Sequence, residues 1–376
     1  MTKNLEALKS LTTPPPPAGW TAGATWDGTE GYVTTHATSE AESPSDGQWD
    51  HVFEQFGLDP AKYTIEGPVR HSAWEVPGHD VQHAYRARIV ERPDRTFAVD
   101  ELIDTMRDAI PAPNFSSDKW RTVVCADTHI GKAAEDGAGS EMLAKRWMES
   151  ASKAIGSEAP HKGINLMLAG DTIEGYVSNN GAGIAQTDLT LTEQIRVASH
   201  LVKDTVELAL SNAETVIVSV VGGNHSETTR QQHRPMTDNF DILIASNVEM
   251  AMKDTYGDRL KFYYPEPQRG SVTYQAGDAV FTLVHGHKFK GKMNGAEKWW
   301  GGHINNGRPP ASATILVAGH FHGFEMKNWT KDRWIMFAPA LEDESTWLAE
   351  IDGSTSQAGM LYFDTEGGAP CRIGIA

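Results

Sequence analysis

The sequence predicts an α/β fold with a small module appended at its N-terminal side. Three observations carry that reading. Short aliphatic runs of strand length alternate with longer helical patterns from about residue 119 onward. Five of those runs stop at an imidazole, carboxylate or carboxamide residue. The stretch before residue 119 shares neither property and is strongly acidic. The chain has 376 residues, a soft expectation of two domains, and 39% hydrophobic residues, enough for a real core.

Residues 1–24 include Pro14, Pro15, Pro16 and Pro17 among Thr, Ala and Gly, which predicts an extended, poorly packed tail. Residues 25–118 are expected to form a small acidic, Trp-containing module (25–97) with a connecting helix (98–118). From Trp26 to Pro60 there are eight acidic residues and no Lys or Arg. Trp49, Val52, Phe53 and Phe56 recur at helical spacing, and Gly57 stops that helix. Ala84–Val90 reads as a strand, and Val99–Ile110 as a helix ended by Pro111 and Pro113. The module is expected either to pack as a structural appendage or to dock a protein partner through its acidic surface. Its Trp residues suit both, because buried and interface aromatics look alike in sequence.

Residues 119–376 read as the catalytic domain. Thr122–Ala126, Asn165–Ala169, Thr215–Val221, Ala279–Val284 and Thr314–Ala318 are apolar enough for strands buried on both faces. Glu141–Ile155, Asp188–Leu210 and Asp238–Asp258 carry helical patterns. Leu260–Tyr264, Ser271–Gln275, Trp334–Ala340, Met360–Phe363 and Arg372–Ile375 read as antiparallel strands, with a turn at Ala276-Gly277-Asp278. No apolar run approaches the roughly 20 residues of a membrane helix, so a soluble, cytoplasmic protein with no membrane partner is expected. Two cysteines, Cys125 and Cys371, make no disulfide framework, which agrees with a reducing compartment. A net charge of −17 argues against coating nucleic acid by charge alone, though not against binding phosphates locally.

The strand ends carry the chemistry. They give Asp127-Thr128-His129, Gly170-Asp171, Gly223-Asn224-His225, His285-Gly286-His287 and Gly319-His320-Phe321-His322. Ligands bind at the carboxyl ends of strands in open α/β sheets, so these groups can converge although they span roughly 200 residues. Mixed imidazole, carboxylate and amide donors suit Mn²⁺, Fe²⁺ or Zn²⁺ rather than a thiolate site.

This ordered set resembles the calcineurin-like metallophosphoesterases over roughly residues 119–376. The resemblance implies a four-layered α/β/β/α sandwich and a centre of two divalent metal ions, Mn²⁺ first, with Fe²⁺ or Zn²⁺ as alternatives. By motif, Asp127, His129 and His322 would hold one metal, and Asn224, His285 and His320 the other. Asp171 would bridge them. His225 takes the family's role of proton donor near the scissile phosphate, which a metal-bridging hydroxide attacks. Two positions depart from the pattern. Glu174 stands where the family has Asp, and the acid expected directly after His225 is displaced by Ser226 to Glu227. The absence of a GDxxDRG string disfavours the serine/threonine phosphoprotein phosphatases.

Ala126–Gly131 is similar to the opening motif of SbcD-type DNA-repair exonucleases. Arg230, Arg234, Lys288 and Lys290 follow the third and fourth motifs and are candidate contacts to flanking phosphates. Trp299 is a candidate to stack a base, with Trp300 beside it. The leading expectation is a metal-dependent phosphodiesterase that cuts nucleic acid, DNA above all. The alternatives are hydrolysis of a smaller ester (a cyclic nucleotide, a dinucleoside polyphosphate) or of a phosphoprotein, and a recruitment factor acting through the N-terminal module. No GxxxxGK[ST] string is present, so a partner ATPase of the kind SbcD-type enzymes use would be a separate chain.

Overall fold

The structure is a computed structural model that describes residues 16–39, 41, 43–44, 46–75, 80–92, 98–100, 117–133, 139–157, 160–177, 187–231, 234–342 and 357–376. Two compact units divide the chain, Met1–Pro93 and Asp94–Ala376. Residues 1–15 of the Pro-rich stretch, and the expected helix Val99–Ile110 beyond Asp100, lie outside the described residues.

In the first unit, β1 (Gly23–Trp26), β2 (Glu30–Thr34), β3 (Tyr63–Trp74) and β4 (Gln82–Glu91) form an antiparallel sheet in the order β1-β2-β4-β3. Alternation along β4 buries Ala87 and Ile89 while Arg88 faces water. The helix Asp46–Gln55 covers that face with Trp49, Val52 and Phe53, and Gly57 ends the turn beyond it at φ 75°. Trp49 is therefore a core residue of this unit.

In the second unit, β5 (Trp120–Cys125), β6 (His161–Leu168), β7 (Ala213–Val220) and β8 (Leu260–Tyr263) run parallel. β14 (Leu361–Glu366) pairs antiparallel with β5 and with β15 (Ala369–Ile375), giving the order β15-β14-β5-β6-β7-β8. A second sheet has the order β12-β13-β11-β10-β9, from β9 (Ser271–Ala276), β10 (Ala279–Val284), β11 (Ile315–Ala318), β12 (Glu325–Thr330) and β13 (Arg333–Phe337). Gly277, at φ 60°, makes the expected turn between β9 and β10. One strand read as antiparallel differs, since β8 is parallel to β7. β13 is antiparallel to β12, as read, and parallel to β11 on its other edge. A short apolar run carries no information on direction, which the crossovers before each strand decide.

The period of two sorts the side chains into layers. Val123 and Cys125 meet Leu143, Trp147, Val197, Leu201 and Ile244 of the helices Gly139–Gly156, Leu191–Asn212 and Phe240–Tyr256. Val124 and Ala126 instead join Met167, Ile217, Phe281, Leu283, Ile315 and Val317 between the sheets. On the far side, Leu316, Ile335 and Phe337 pack under Met293, Ala296 and Trp300 of the helix Lys292–Asn305. Helix, sheet, sheet, helix: these are the four layers that the sequence resemblance implied.

The helix Lys292–Asn305 was not legible in the sequence, because Gly295, Gly301 and Gly302 disguise it as a loop. Gly295 has a packing reason. A Cβ there would lie 2.7 Å from the Lys290 carbonyl oxygen, so only glycine lets the first turn fold back so closely. Successive residues on a helix point about 100° apart, so Trp300 is buried while Trp299 is half-exposed. Trp300 packs on Trp329 at 5.2 Å and its Nε1–H donates to the Pro310 carbonyl at 2.7 Å.

Candidate metal centre

The carboxyl ends of β5, β6, β7, β10 and β11 meet in one place. The loop after β5 is strapped to the loop after β6, with Asp127, Thr128 and Ile130 amides donating to the Gly170, Asp171 and Thr172 carbonyls at 3.0–3.1 Å. Close approach also explains two glycines. A Cβ on Gly223 would fall 2.0 Å from an Asp171 carboxylate oxygen, and one on Gly170 would fall 2.8 Å from the Gly223 amide. Among the described residues, seven non-glycines have left-handed backbone, and five of them are Asp127, His129, Asp171, His320 and His322. Each such residue costs about 1–3 kcal/mol, so the surrounding hydrogen bonds must hold the loops in place.

Three donor groups result, each with ligand atoms within 4.8 Å of one another: first Asp127, His129 and His322, second Asp171, His285 and His320, and third His129, Glu174 and His225. Asn224 belongs with the second group, its Oδ1 lying 3.1 Å from His285 Nε2, while Asp171 Oδ2 is 3.0 Å from the same nitrogen. Ligands about 2.1 Å from a metal lie roughly 3 Å apart around it, so this spacing fits a coordination shell. The other Asp171 oxygen, Oδ1, accepts the His225 amide at 2.7 Å.

Three imidazoles are anchored through one nitrogen. His129 Nδ1 contacts Glu174 at 2.8 Å, His285 Nδ1 contacts the Ala169 carbonyl at 2.8 Å, and His322 Nδ1 contacts Glu342 at 3.0 Å. Such contacts fix each ring's orientation and present Nε2 to the centre. His129 Nε2 and Asp127 Oδ1 are buried with no hydrogen-bond partner among the described residues. Buried polar atoms are otherwise nearly always paired, so these two fit coordination to a cation.

The electrostatics follow from burial and close opposite charges. Burial alone would raise the Asp171 carboxyl, yet the His285 imidazole holds it well below the usual carboxylate range. Conversely, burial lowers His285, and the Asp171 charge overrides it to lift the imidazole to about 10. Glu174 would also rise on burial, but hydrogen bonds from His129 and His225 bring it down to about 2. His225, 3.1 Å from Glu174, is lifted against burial to about 9 by that carboxylate and by Asp171.

Glu174 thus bridges His129 and His225, a reach that its extra methylene supplies. Glu227, the displaced acid, turns elsewhere and pairs with Arg230 at 2.9 Å and Arg234 at 2.5 Å. Arg230 and Arg234 are therefore engaged with a carboxylate of their own loop. Lys288 and Lys290 are exposed, with Lys288 Nζ 3.5 Å from Met236 Sδ, and Trp299 lines a cavity beside the centre.

Two carboxylates escaped the sequence reading. Glu342 holds His322 and pairs with Lys132. Asp241, at the start of the helix Phe240–Tyr256, accepts the amides of Asp171 at 3.1 Å, Thr172 at 3.0 Å and Gly223 at 2.9 Å. It joins two of the loops that carry the candidate donors. No local motif marks either residue, because each meets its partners only through tertiary contacts.

No protein-family model matches the chain, and no curated protein matches it. Among solved structures it is similar to a single mutant of Vps29 from Entamoeba histolytica, at 12% identity and a TM-score of 0.30 over 68% of this chain and 99% of that one. It is likewise similar to a predicted phosphoesterase from Streptococcus pneumoniae, at 12% identity and a TM-score of 0.30, covering 66% and 84%. A third is wild-type Vps29 from E. histolytica complexed with Zn²⁺, at 12% identity and a TM-score of 0.32, covering 66% and 88%. Among the described residues, no helix is long and apolar enough to cross a membrane.

Proposed function

We propose that this protein is a metal-dependent phosphodiesterase that cuts nucleic acid, DNA first. The observation that carries the reading is the paired donor set, in which Asp127, His129 and His322 face Asp171, Asn224, His285 and His320. Two divalent ions held there, Mn²⁺ before Fe²⁺ or Zn²⁺, would polarise a phosphoryl group and lower the pKa of water. The chain's own residues do the rest. Asp171 would serve both ions, the role that the sequence resemblance gives it. Glu174 holds His225 by one nitrogen, and the protonated ring donates to the leaving oxygen as the P–O bond breaks. Glu174 also orients His129, so proton donor and metal ligand are set by one carboxylate.

DNA is favoured by the likeness of Ala126–Gly131 to the SbcD-type motif and by the exposed Lys288 and Lys290 beside the centre. The acidic first unit is proposed as a docking module for a protein partner. Cleavage of end-labelled single- and double-stranded DNA with Mn²⁺ tests the activity, with His225→Ala alongside. The variant should keep its metals and lose about 10²–10⁴-fold in turnover. Equal cleavage by both proteins would remove His225 from the reaction, and no cleavage by metal-loaded wild type would remove DNA as the substrate.

A further inference from the structure

A cavity of about 540 Å³ opens beside the metal centre, within the range of ligand sites. Gly286 and His287 line its inner end, directly after the donor His285. The His287 ring lies 5.3 Å from that of His285 and 6.2 Å from that of His320, so an occupant would abut the donors. One wall is aromatic. Trp299 sits 4.1 Å from His303 and 5.6 Å from Phe289, centroid to centroid. Arg269 and Arg308 line the same space. Arg269 is paired with Glu266 at 2.6 Å, whereas Arg308 makes no ion pair among the described residues.

Two further atoms point to the kind of occupant. The Nδ1 atoms of His287 and His303 are buried and have no hydrogen-bond partner among the described residues. Both rings line the cavity. An aromatic wall with unpaired ring nitrogens suits a flat, heteroatom-rich ring, and a cation at the rim suits a phosphate. A plain aliphatic ligand would leave both ring nitrogens unpaired.

We propose that this cavity is a nucleotide subsite, in which an unpaired nucleobase stacks on Trp299 while Arg308 meets its adjoining phosphate. The inference deepens the nuclease reading and rests on it for the choice of a polynucleotide strand. A base can enter only when it is free of its duplex partner, so single strands and frayed ends are the form of DNA this site accepts. Its chemistry is shared by a free nucleotide, and the test separates the two sources.

The full-length, metal-loaded protein is titrated with adenosine 5′-phosphorothioate and with a single-stranded phosphorothioate oligonucleotide. Trp299→Ala should weaken binding of both by roughly 10-fold to 100-fold, and Trp299→Phe should restore it to within about threefold. Ribose 5-phosphate, which has no base, should bind wild type and Trp299→Ala equally. Tighter binding of the oligonucleotide than of the nucleotide assigns the site to a strand, and equal binding assigns it to a free nucleotide. Unchanged affinity in both Trp299 variants overturns the proposal, as does failure of wild type to bind either probe. DNA cleavage measured in parallel keeps the two readings apart. Trp299-dependent nucleotide binding without DNA cleavage retains the subsite and removes the nuclease, while cleavage with a Trp299-independent KM does the reverse.

Discussion

Asp241→Asn tests whether a carboxylate outside the donor set governs the centre. Asp241 is 1% exposed and takes two amides on Oδ2, from Asp171 and Gly223, and one on Oδ1, from Thr172. A carboxamide keeps only one oxygen, so its NH₂ must face at least one backbone N–H. In the better orientation Oδ1 still receives Asp171 and Gly223, and the Thr172 amide is stranded at a cost of about 1–3 kcal/mol. The two remaining bonds fall from charged to neutral strength, losing about 1 kcal/mol each. Burial and the neighbouring Asp171 charge push the Asp241 carboxyl up, so removing its charge offsets part of this loss. The net loss is about 2–4 kcal/mol. At roughly 2–4 °C per kcal/mol for a domain of this size, Tm should fall by about 5–15 °C. Because the affected loops carry Asp171 and Asn224, metal content measured by mass spectrometry should fall as well. A variant with wild-type Tm and full metal would refute the argument that Asp241 joins these loops.

Other expectations concern the donors and the core. Asp171→Asn should weaken both proposed metal sites together, and equilibrium dialysis showing one site unaffected would contradict the bridging role proposed for it. Arg121 and Asp364 form a buried pair at 2.5 Å, with Arg372 on the second oxygen at 2.6 Å. Although burial opposes it, Arg121 and Arg372 hold the Asp364 carboxyl below its ordinary value of 3.8. The depressed value means that this stabilisation is complete above about pH 4 and disappears as pH falls through the folded-state value. Arg121→Met should cost about 3 kcal/mol at neutral pH and flatten the decline in stability below pH 4, read from urea midpoints across pH. An identical pH profile in the variant would mean that Asp364 owes its low value to something else.

How much could be read without tertiary structure depended on the range of the interaction. The runs at Thr122–Ala126 and Ala279–Val284 announce themselves because β-branched and aliphatic residues suit a doubly covered strand whatever surrounds it. The residues at their ends are visible for the same local reason. The helix Lys292–Asn305 was hidden by glycines whose purpose, at Gly295, is a contact with Lys290 that exists only once the chain has folded.

Sequence by itself determined the alternation of strand and helix, the order of the donor motifs and the acidity of the first hundred residues. Each of these is a property of neighbouring residues and their periodicity. Only the tertiary structure decided that β8 runs parallel to β7 and β13 parallel to β11, that Trp300 is core while Trp299 faces a cavity, and that Glu227 is spent on Arg230 and Arg234. It alone brought Asp241 beneath two loops and Glu342 onto His322. Those outcomes depend on strand direction, helix rotation and charges from distant segments meeting at short range, and none of these is a function of local sequence.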